Sequence, residues 1–167
     1  STIKGEGKSF VSYNLAKSYK ALGKKVVLIG GDLRNPQLHK FLGIERNSLG
    51  LSTYLSDQNF KNIDNLIIKG TGPQEIDFLL SGAIPPNPSE LLMNGRFDEV
   101  LKYGKEHYDY VIVDTAPVMM VTDTLLLGHH ADLFVFVIRS NFLDKRLLKI
   151  PKMMYDNKRL PNMAILI

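Results

Sequence analysis

The sequence predicts an α/β fold, a doubly wound, mainly parallel sheet flanked by helices. Three observations carry that prediction. Residues 26–29 read Val-Val-Leu-Ile, an unbroken apolar run of strand length, as a strand covered on both faces in a parallel sheet requires. A helical apolar pattern directly precedes this run. Further short, mainly apolar runs at 76–80, 110–113, 133–138 and 163–167 are separated by helical-looking stretches near 37–42, 51–56, 88–106, 122–130 and 144–157. Such alternation builds right-handed crossover units, whose ligand crevice lies at the carboxyl ends of the strands.

The first helix is expected to begin near Lys8. Phe10, Val11, Leu15, Tyr19 and Leu22 recur at three- and four-residue spacing, and Gly23 supplies a stop. Lys24 and Lys25 lead into the first strand, and 30–36 is a loop. Farther on, Asn87-Pro88-Ser89-Glu90 reads as a helix start, with Asn87 as cap, Pro88 in the first turn and Glu90 reaching back. No repeat, low-complexity stretch or linker interrupts the chain, so 1–167 reads as a single domain. Ser1 opens directly into a glycine-rich turn that needs a strand before it, and Ile167 ends within an apolar run. The expectation is a domain lacking its first strand and its C-terminal continuation.

Composition narrows the chemistry. With 44% hydrophobic and 23% charged residues, 167 residues can bury a sizeable core, which excludes a disordered chain or a coiled coil. The absence of cysteine excludes disulfides, thiolate metal sites and a thiol nucleophile. No apolar run approaches the ~18 residues of a membrane-spanning helix. A net charge of +4, from 21 Lys+Arg against 17 Asp+Glu, favours anionic ligands without the dense basic stripe of a nucleic-acid binder.

The place for an anion is local. Gly5-Glu6-Gly7-Lys8-Ser9 followed by a helix is the core of a phosphate-binding loop. Two glycines let successive amides turn toward phosphate oxygens, and the helix beginning near Lys8 adds its positive end. Lys8 reaches the β- and γ-phosphates in such a loop, and the Ser9 hydroxyl ligates Mg²⁺. Thr2 stands where the strict pattern has its first glycine. A second piece is the strand ending in Asp114, whose carboxylate would face the strand-end crevice and hold Mg²⁺ directly or through Ser9. A third is Asp32 with Arg34 just past the first strand, an acid for the metal shell or for a proton and a cation for phosphate. Each of these acids also has a plain structural reading, Asp114 as a turn or cap residue and Asp32–Arg34 as a surface pair.

Together these segments resemble the bacterial tyrosine kinases of capsule and exopolysaccharide synthesis, a branch of the deviant P-loop ATPases. The resemblance also includes Asn14-Leu15-Ala16, Asp32-Leu33-Arg34-Asn35-Pro36, Gly50-Leu51-Ser52, Leu80-Ser81-Gly82 and Asp123. Its most specific part is Pro85-Pro86-Asn87-Pro88-Ser89-Glu90-Leu91-Leu92, which ordinary P-loop ATPases lack. It implies a P-loop NTPase-like fold that binds ATP or ADP with Mg²⁺ and transfers the γ-phosphate of ATP to tyrosine. The implied catalytic residues are Lys8, Asp32, Asp114 and Arg34, and the implied metal ligands are Ser9, Asp32 and Asp114. The nucleotide loop comprises Lys4, Gly5, Glu6, Gly7, Lys8, Ser9 and Phe10. The implied partners are a homo-oligomeric ring, the tyrosine tail of a neighbouring subunit, and a membrane-embedded chain-length or polysaccharide co-polymerase segment. The implied place is the cytoplasmic side of the bacterial plasma membrane, with no nucleic acid bound.

Several positions depart from the family pattern. Gly30 occupies the place of the first of two acids, leaving Asp32 alone, Lys4 stands where proline is common, and Phe10 is expected to pack into the core. The tyrosines at 13, 19, 54, 103, 108, 110 and 155 are scattered, so a tyrosine cluster would lie beyond Ile167. Neighbouring His129 and His130 point in different directions from a helix, which disfavours a shared metal site. Met93, Met119, Met120, Met153 and Met154 read as core fillers or subunit contacts. Two other readings stay open: a nucleotide-gated assembly module of the same system with little kinase chemistry, and a partition-type ATPase.

Overall fold

The computed structural model describes all residues except 46–48, 73–74, 120–122 and 161; Met120 and the first residue of the helix expected at 122–130 fall outside them. The chain forms two compact units, Ser9–Thr115 and Ser1–Lys8 with Ala116–Ile167.

In the larger unit the strands are β1 (Val26–Gly30), β2 (Ile67–Ile68), β3 (Asp77–Leu79) and β4 (Tyr110–Asp114). Their order in the sheet is β2-β3-β1-β4, with β1 parallel to both β3 and β4 and β2 antiparallel to β3. All five residues of β1 are buried, as the apolar run requires of a central strand. The short β2 leaves no mark in the sequence, because two isoleucines after a 3₁₀ turn (Ile63–Leu66) carry no periodicity.

Helix α1 (Lys8–Ala21) starts and stops as expected, and the Gly23 N–H closes it onto the Lys20 carbonyl at 2.9 Å. Its buried face differs from the expected one. Ser12 and Ala16 are its buried residues, and Ala16 packs with Val26, Leu28, Leu38, Ile76, Phe78 and Leu80. Small side chains one turn apart let the helix lie close to the strands. Phe10, two positions from Ser12 and so on the other side of the helix, is 64% exposed, which corrects its assignment to the core.

Two short helices follow, α2 (His39–Leu42) and α3 (Leu51–Ser56). The single helix expected over 88–106 is two, α4 (Pro88–Met93) and α5 (Arg96–His107). Asn94-Gly95 breaks it, because Gly95 sits at φ 81, a conformation that ends a helix. Pro88 does occupy the first turn of α4, but the Asn87 side chain makes no cap bond; its Nδ2 donates to Glu90 Oε2 at 2.7 Å. Glu90 thus reaches back to the side chain of Asn87.

The smaller unit pairs β5 (Phe134–Val137) with β6 (Met163–Leu166) in parallel, beside α6 (Asp123–Gly128), a 3₁₀ turn (Lys145–Leu148) and α7 (Lys149–Asp156). Phe134, Phe136, Ile138, Ile150, Met154 and Leu160 form its core with Val118. Met154 fills that core, whereas Met93, Met119 and Met153 are exposed. His129 and His130 follow the end of α6 rather than lying on it. Among the described residues no helix is long and apolar enough to cross a membrane, and no group of three or more His, Asp or Glu could hold a metal.

Candidate functional site

In the larger unit, parallel pairing sets Gly30 of β1 opposite Asp114 of β4, so both strands end at one level. The chain leaving β1 is stitched there, because the Asp114 carbonyl accepts from the N–H groups of Gly31 at 2.8 Å and Asp32 at 3.1 Å. The Asp114 side chain is only 5% exposed. A buried carboxylate needs partners, and Ser9 Oγ donates to its Oδ2 at 2.5 Å across 105 positions of sequence. Two of the three expected metal ligands, Ser9 and Asp114, are therefore in direct contact.

Asp32 has a structural task of its own. Its Oδ1 accepts from the Arg34 N–H at 3.1 Å and the Asn35 N–H at 2.9 Å, an Asx turn that shapes the loop after β1. Arg34 in turn donates through Nη2 to Ser89 Oγ at 2.7 Å. This bond ties the loop to the first turn of α4. The sequence marks both segments but carries no sign of a link between them, since side-chain partners 55 positions apart leave no local signal. Ser81, which enters the sequence reading only within the family resemblance, donates through Oγ to the Gly30 carbonyl at 2.9 Å in a buried position. A Cβ at residue 30 would lie 2.4 Å from that Oγ and 2.8 Å from the Ser81 amide, so a side chain there requires Ser81 to shift.

In the smaller unit, Gly5 and Gly7 both have φ 90, the alternation with Glu6 that turns a loop around an anion. An ideal Cβ at Gly7 meets no atom within 4 Å, so the loop is open there. Lys4 is exposed, and Lys8 is half-buried at the first position of α1. The Glu6 side chain turns inward. It is 2% exposed, and its Oε2 accepts the Ile3 N–H at 2.7 Å, bracing the turn from within. The chain leading into the loop is held by the Ser1 and Thr2 carbonyls, which accept from the N–H groups of Val118 at 2.9 Å and Met119 at 3.3 Å. Thr124 Oγ1 donates to the Ala116 carbonyl at 2.5 Å and fixes the start of α6.

Each unit by itself carries chemistry that suits a magnesium nucleotide. In the larger unit a hydroxyl and a carboxylate in contact are hard oxygen donors of the kind Mg²⁺ takes. In the smaller unit a loop with two glycines at positive φ is backbone of the kind that cradles an anion.

The strongest shifts in acidity lie away from these residues. Tyr108 donates to Asp77 Oδ2 at 2.7 Å and accepts from Lys69 Nζ at 3.1 Å. Burial, with the bond to Asp77, pushes its phenol up to about 12. Burial pulls against Lys69, but Tyr108, Asp64 and Asp77 hold its ammonium protonated well above the ordinary lysine value. The Tyr103 hydroxyl completes the group at 2.7 Å from Asp64 Oδ1, so this network fastens β2 and β3 to α5.

Residues 3–147 match the AAA domain family. The chain belongs to that family. It is 39% identical over 145 residues to tyrosine-protein kinase YwqD of Bacillus subtilis, covering 87% of this chain and 60% of that protein. The solved kinase domain of Escherichia coli tyrosine kinase ETK superposes with a TM-score of 0.86 at 32% identity, covering 98% of this chain and 63% of that one. The septum site-determining protein MinD of Pyrococcus horikoshii, solved with Mg-ADP, shares the fold at a TM-score of 0.72 and 21% identity. The resemblance to bacterial tyrosine kinases read from the motifs is thus met in sequence and in structure, as is the mainly parallel P-loop architecture. This AAA domain spans 18% of the length of longer curated relatives, such as tyrosine-protein kinase wzc of Salmonella typhimurium.

Proposed function

We propose that this AAA domain is the phosphoryl-transfer part of a bacterial protein-tyrosine kinase, using Mg-ATP to phosphorylate tyrosines of its own kind in a capsule or exopolysaccharide system. The observation that carries this reading is the Ser9–Asp114 bond at 2.5 Å, which joins the hydroxyl after the phosphate-loop lysine to the acid at the end of a parallel strand. The names of the relatives support the choice of tyrosine as acceptor.

Bound Mg²⁺ would neutralise phosphate charge as it is transferred. The residues divide the remaining work. The amides of 5–9 and the Lys8 ammonium hold the phosphates in line, and Ser9 and Asp114 hold the metal. Asp32 Oδ1 is spent on its turn, so Oδ2 accepts the tyrosine proton as the new O–P bond forms and the bond to the ADP oxygen breaks. Arg34, anchored by Ser89, presents charge to the transferring phosphate. The acceptor is the tyrosine tail of a neighbouring subunit in a homo-oligomeric ring. That ring works with a membrane-embedded chain-length partner at the inner face of the plasma membrane.

The test is incubation of the full-length protein with γ-labelled ATP and Mg²⁺, following free phosphate and protein-bound phosphotyrosine together, with Lys8→Met as the blank. Label on tyrosine that vanishes in the blank supports the kinase, and Asp32→Asn should then slow labelling at least tenfold. Nucleotide bound with no label on protein would replace the kinase by a nucleotide-gated assembly module, and unchanged labelling by Asp32→Asn would remove the base.

A further inference from the structure

The turn after β5 reaches back to the phosphate loop within the smaller unit. β5 ends at Val137, and residues 139–143 fold on themselves, with the N–H groups of Phe142 and Leu143 both donating to the Arg139 carbonyl, at 3.3 and 3.2 Å. Asn141 allows this tight fold by adopting φ 56, a conformation asparagine tolerates better than most residues. The result places the Arg139 guanidinium over the Phe142 ring, 5.1 Å from its centroid. From there Arg139 Nη1 donates to the Gly5 carbonyl at 3.2 Å, across 134 positions of sequence. The same ring covers Gly5: a Cβ at residue 5 would lie 3.1 Å from Phe142 Cζ.

We propose that Arg139 and Phe142 are positioning residues for nucleotide, acting by locking the peptide between Gly5 and Glu6. The inference rests on the magnesium-nucleotide reading of the loop. A trans peptide is planar, with its C=O and N–H pointing in opposite directions. Holding the Gly5 carbonyl on Arg139 therefore aims the Glu6 N–H the other way. Rotation of that peptide, through ψ of Gly5, which glycine leaves free, and φ of Glu6, would exchange an amide donor for a carbonyl oxygen at the anion cradle. Arg139 restrains that rotation by satisfying the carbonyl, and Phe142 restrains it twice, by lying against Gly5 and by sitting under the guanidinium. Arginine suits the task because its planar head can stack on a ring and donate at the edge together. Both side chains are otherwise exposed, Phe142 to 46%, so packing of the core does not account for their placement.

The test uses the full-length protein with Arg139→Gln, Arg139→Lys, Phe142→Ala and Phe142→Leu. The readouts are the Kd for Mg-ADP, KM and kcat for ATP, and the amide resonance of Glu6 by NMR. Loss of a ground-state contact to phosphate raises Kd and KM together and leaves kcat nearly unchanged. We expect Arg139→Gln and Phe142→Ala to raise both roughly tenfold, which is ~1.4 kcal/mol, and to broaden or shift the Glu6 amide. Arg139→Lys, which keeps one donor, should recover part of that loss, and Phe142→Leu should recover less. A purely structural role would instead lower the active fraction, hence kcat, with Kd and KM within twofold of the parent; that result overturns the proposal, as would an unmoved Glu6 resonance. If the parent itself binds neither ATP nor ADP, the nucleotide reading fails as well; if the parent binds and the variants bind equally, only the positioning role fails.

Discussion

Replacing Asp114 by Asn tests the metal site with the least disturbance. The substitution keeps shape and leaves an oxygen to accept from Ser9 Oγ, and the main-chain bonds from Gly31 and Asp32 go to the Asp114 carbonyl, which is untouched. Two effects on the free protein oppose each other. Weakening a charge-assisted bond to a neutral one costs on the order of 1 kcal/mol, while removing a carboxylate that is 5% exposed relieves desolvation of similar size. Unliganded stability should therefore stay within about 1 kcal/mol of the parent. Ligand linkage does not cancel. Mg-ADP at a hundred times its Kd stabilises the parent by ~2.7 kcal/mol, and each kcal/mol moves the midpoint of a domain of this size by ~2–4 °C. At an ADP concentration too low to stabilise the protein in EDTA, thermal melts in EDTA and in Mg²⁺ should thus differ by roughly 5–10 °C in the parent and by less than about a third of that in Asp114→Asn. A full magnesium increment in Asp114→Asn would show that Asp114 only supports Ser9, and the metal assignment would be wrong.

Two further perturbations follow from the larger unit. Gly50 has extended backbone, yet a Cβ there would come within 2.4 Å of the Leu80 carbonyl and 2.6 Å of the Gly82 amide. Because both are main chain, and Leu51 and Ser52 bond to the Leu80 and Ser81 carbonyls at 2.7 and 2.9 Å, Gly50→Ala should cost ~1–3 kcal/mol by urea denaturation; a loss below about 0.5 would mean the segments separate easily. The phenol of Tyr108 is raised from 10.0 to about 12, so above pH 10 the unfolded chain releases this proton first and binds fewer protons than the native state. Stability should accordingly fall as pH rises from 10 to 12, by at most ~1.4 kcal/mol per pH unit for this group, with Lys69 adding in the same direction. Tyr108→Phe should flatten that fall in denaturant midpoints measured from pH 9 to 12, and an equally steep fall would place the alkaline sensitivity elsewhere.

Elements with a local signal are legible in the chain before it folds. Val26 to Ile29 is apolar at every position and so had to be a central strand; Lys8 follows two glycines and so opens a helix; Asp114 ends an apolar run and so stands at a strand end. Register and side-chain partners were decided only in three dimensions. The face of α1 that is buried depended on which residues were small enough to approach the sheet, and Ser12 and Ala16 outcompeted Phe10 although periodicity favoured the larger residue. The break at Asn94-Gly95 hid inside an otherwise helical pattern, and β2 was too short to show one. Bonds such as Ser9 to Asp114, Arg34 to Ser89 and Arg139 to Gly5 join positions from 55 to 134 residues apart. Period and propensity are properties of neighbours in the chain, whereas these contacts exist only once each unit has folded and brought segments distant in sequence together within it.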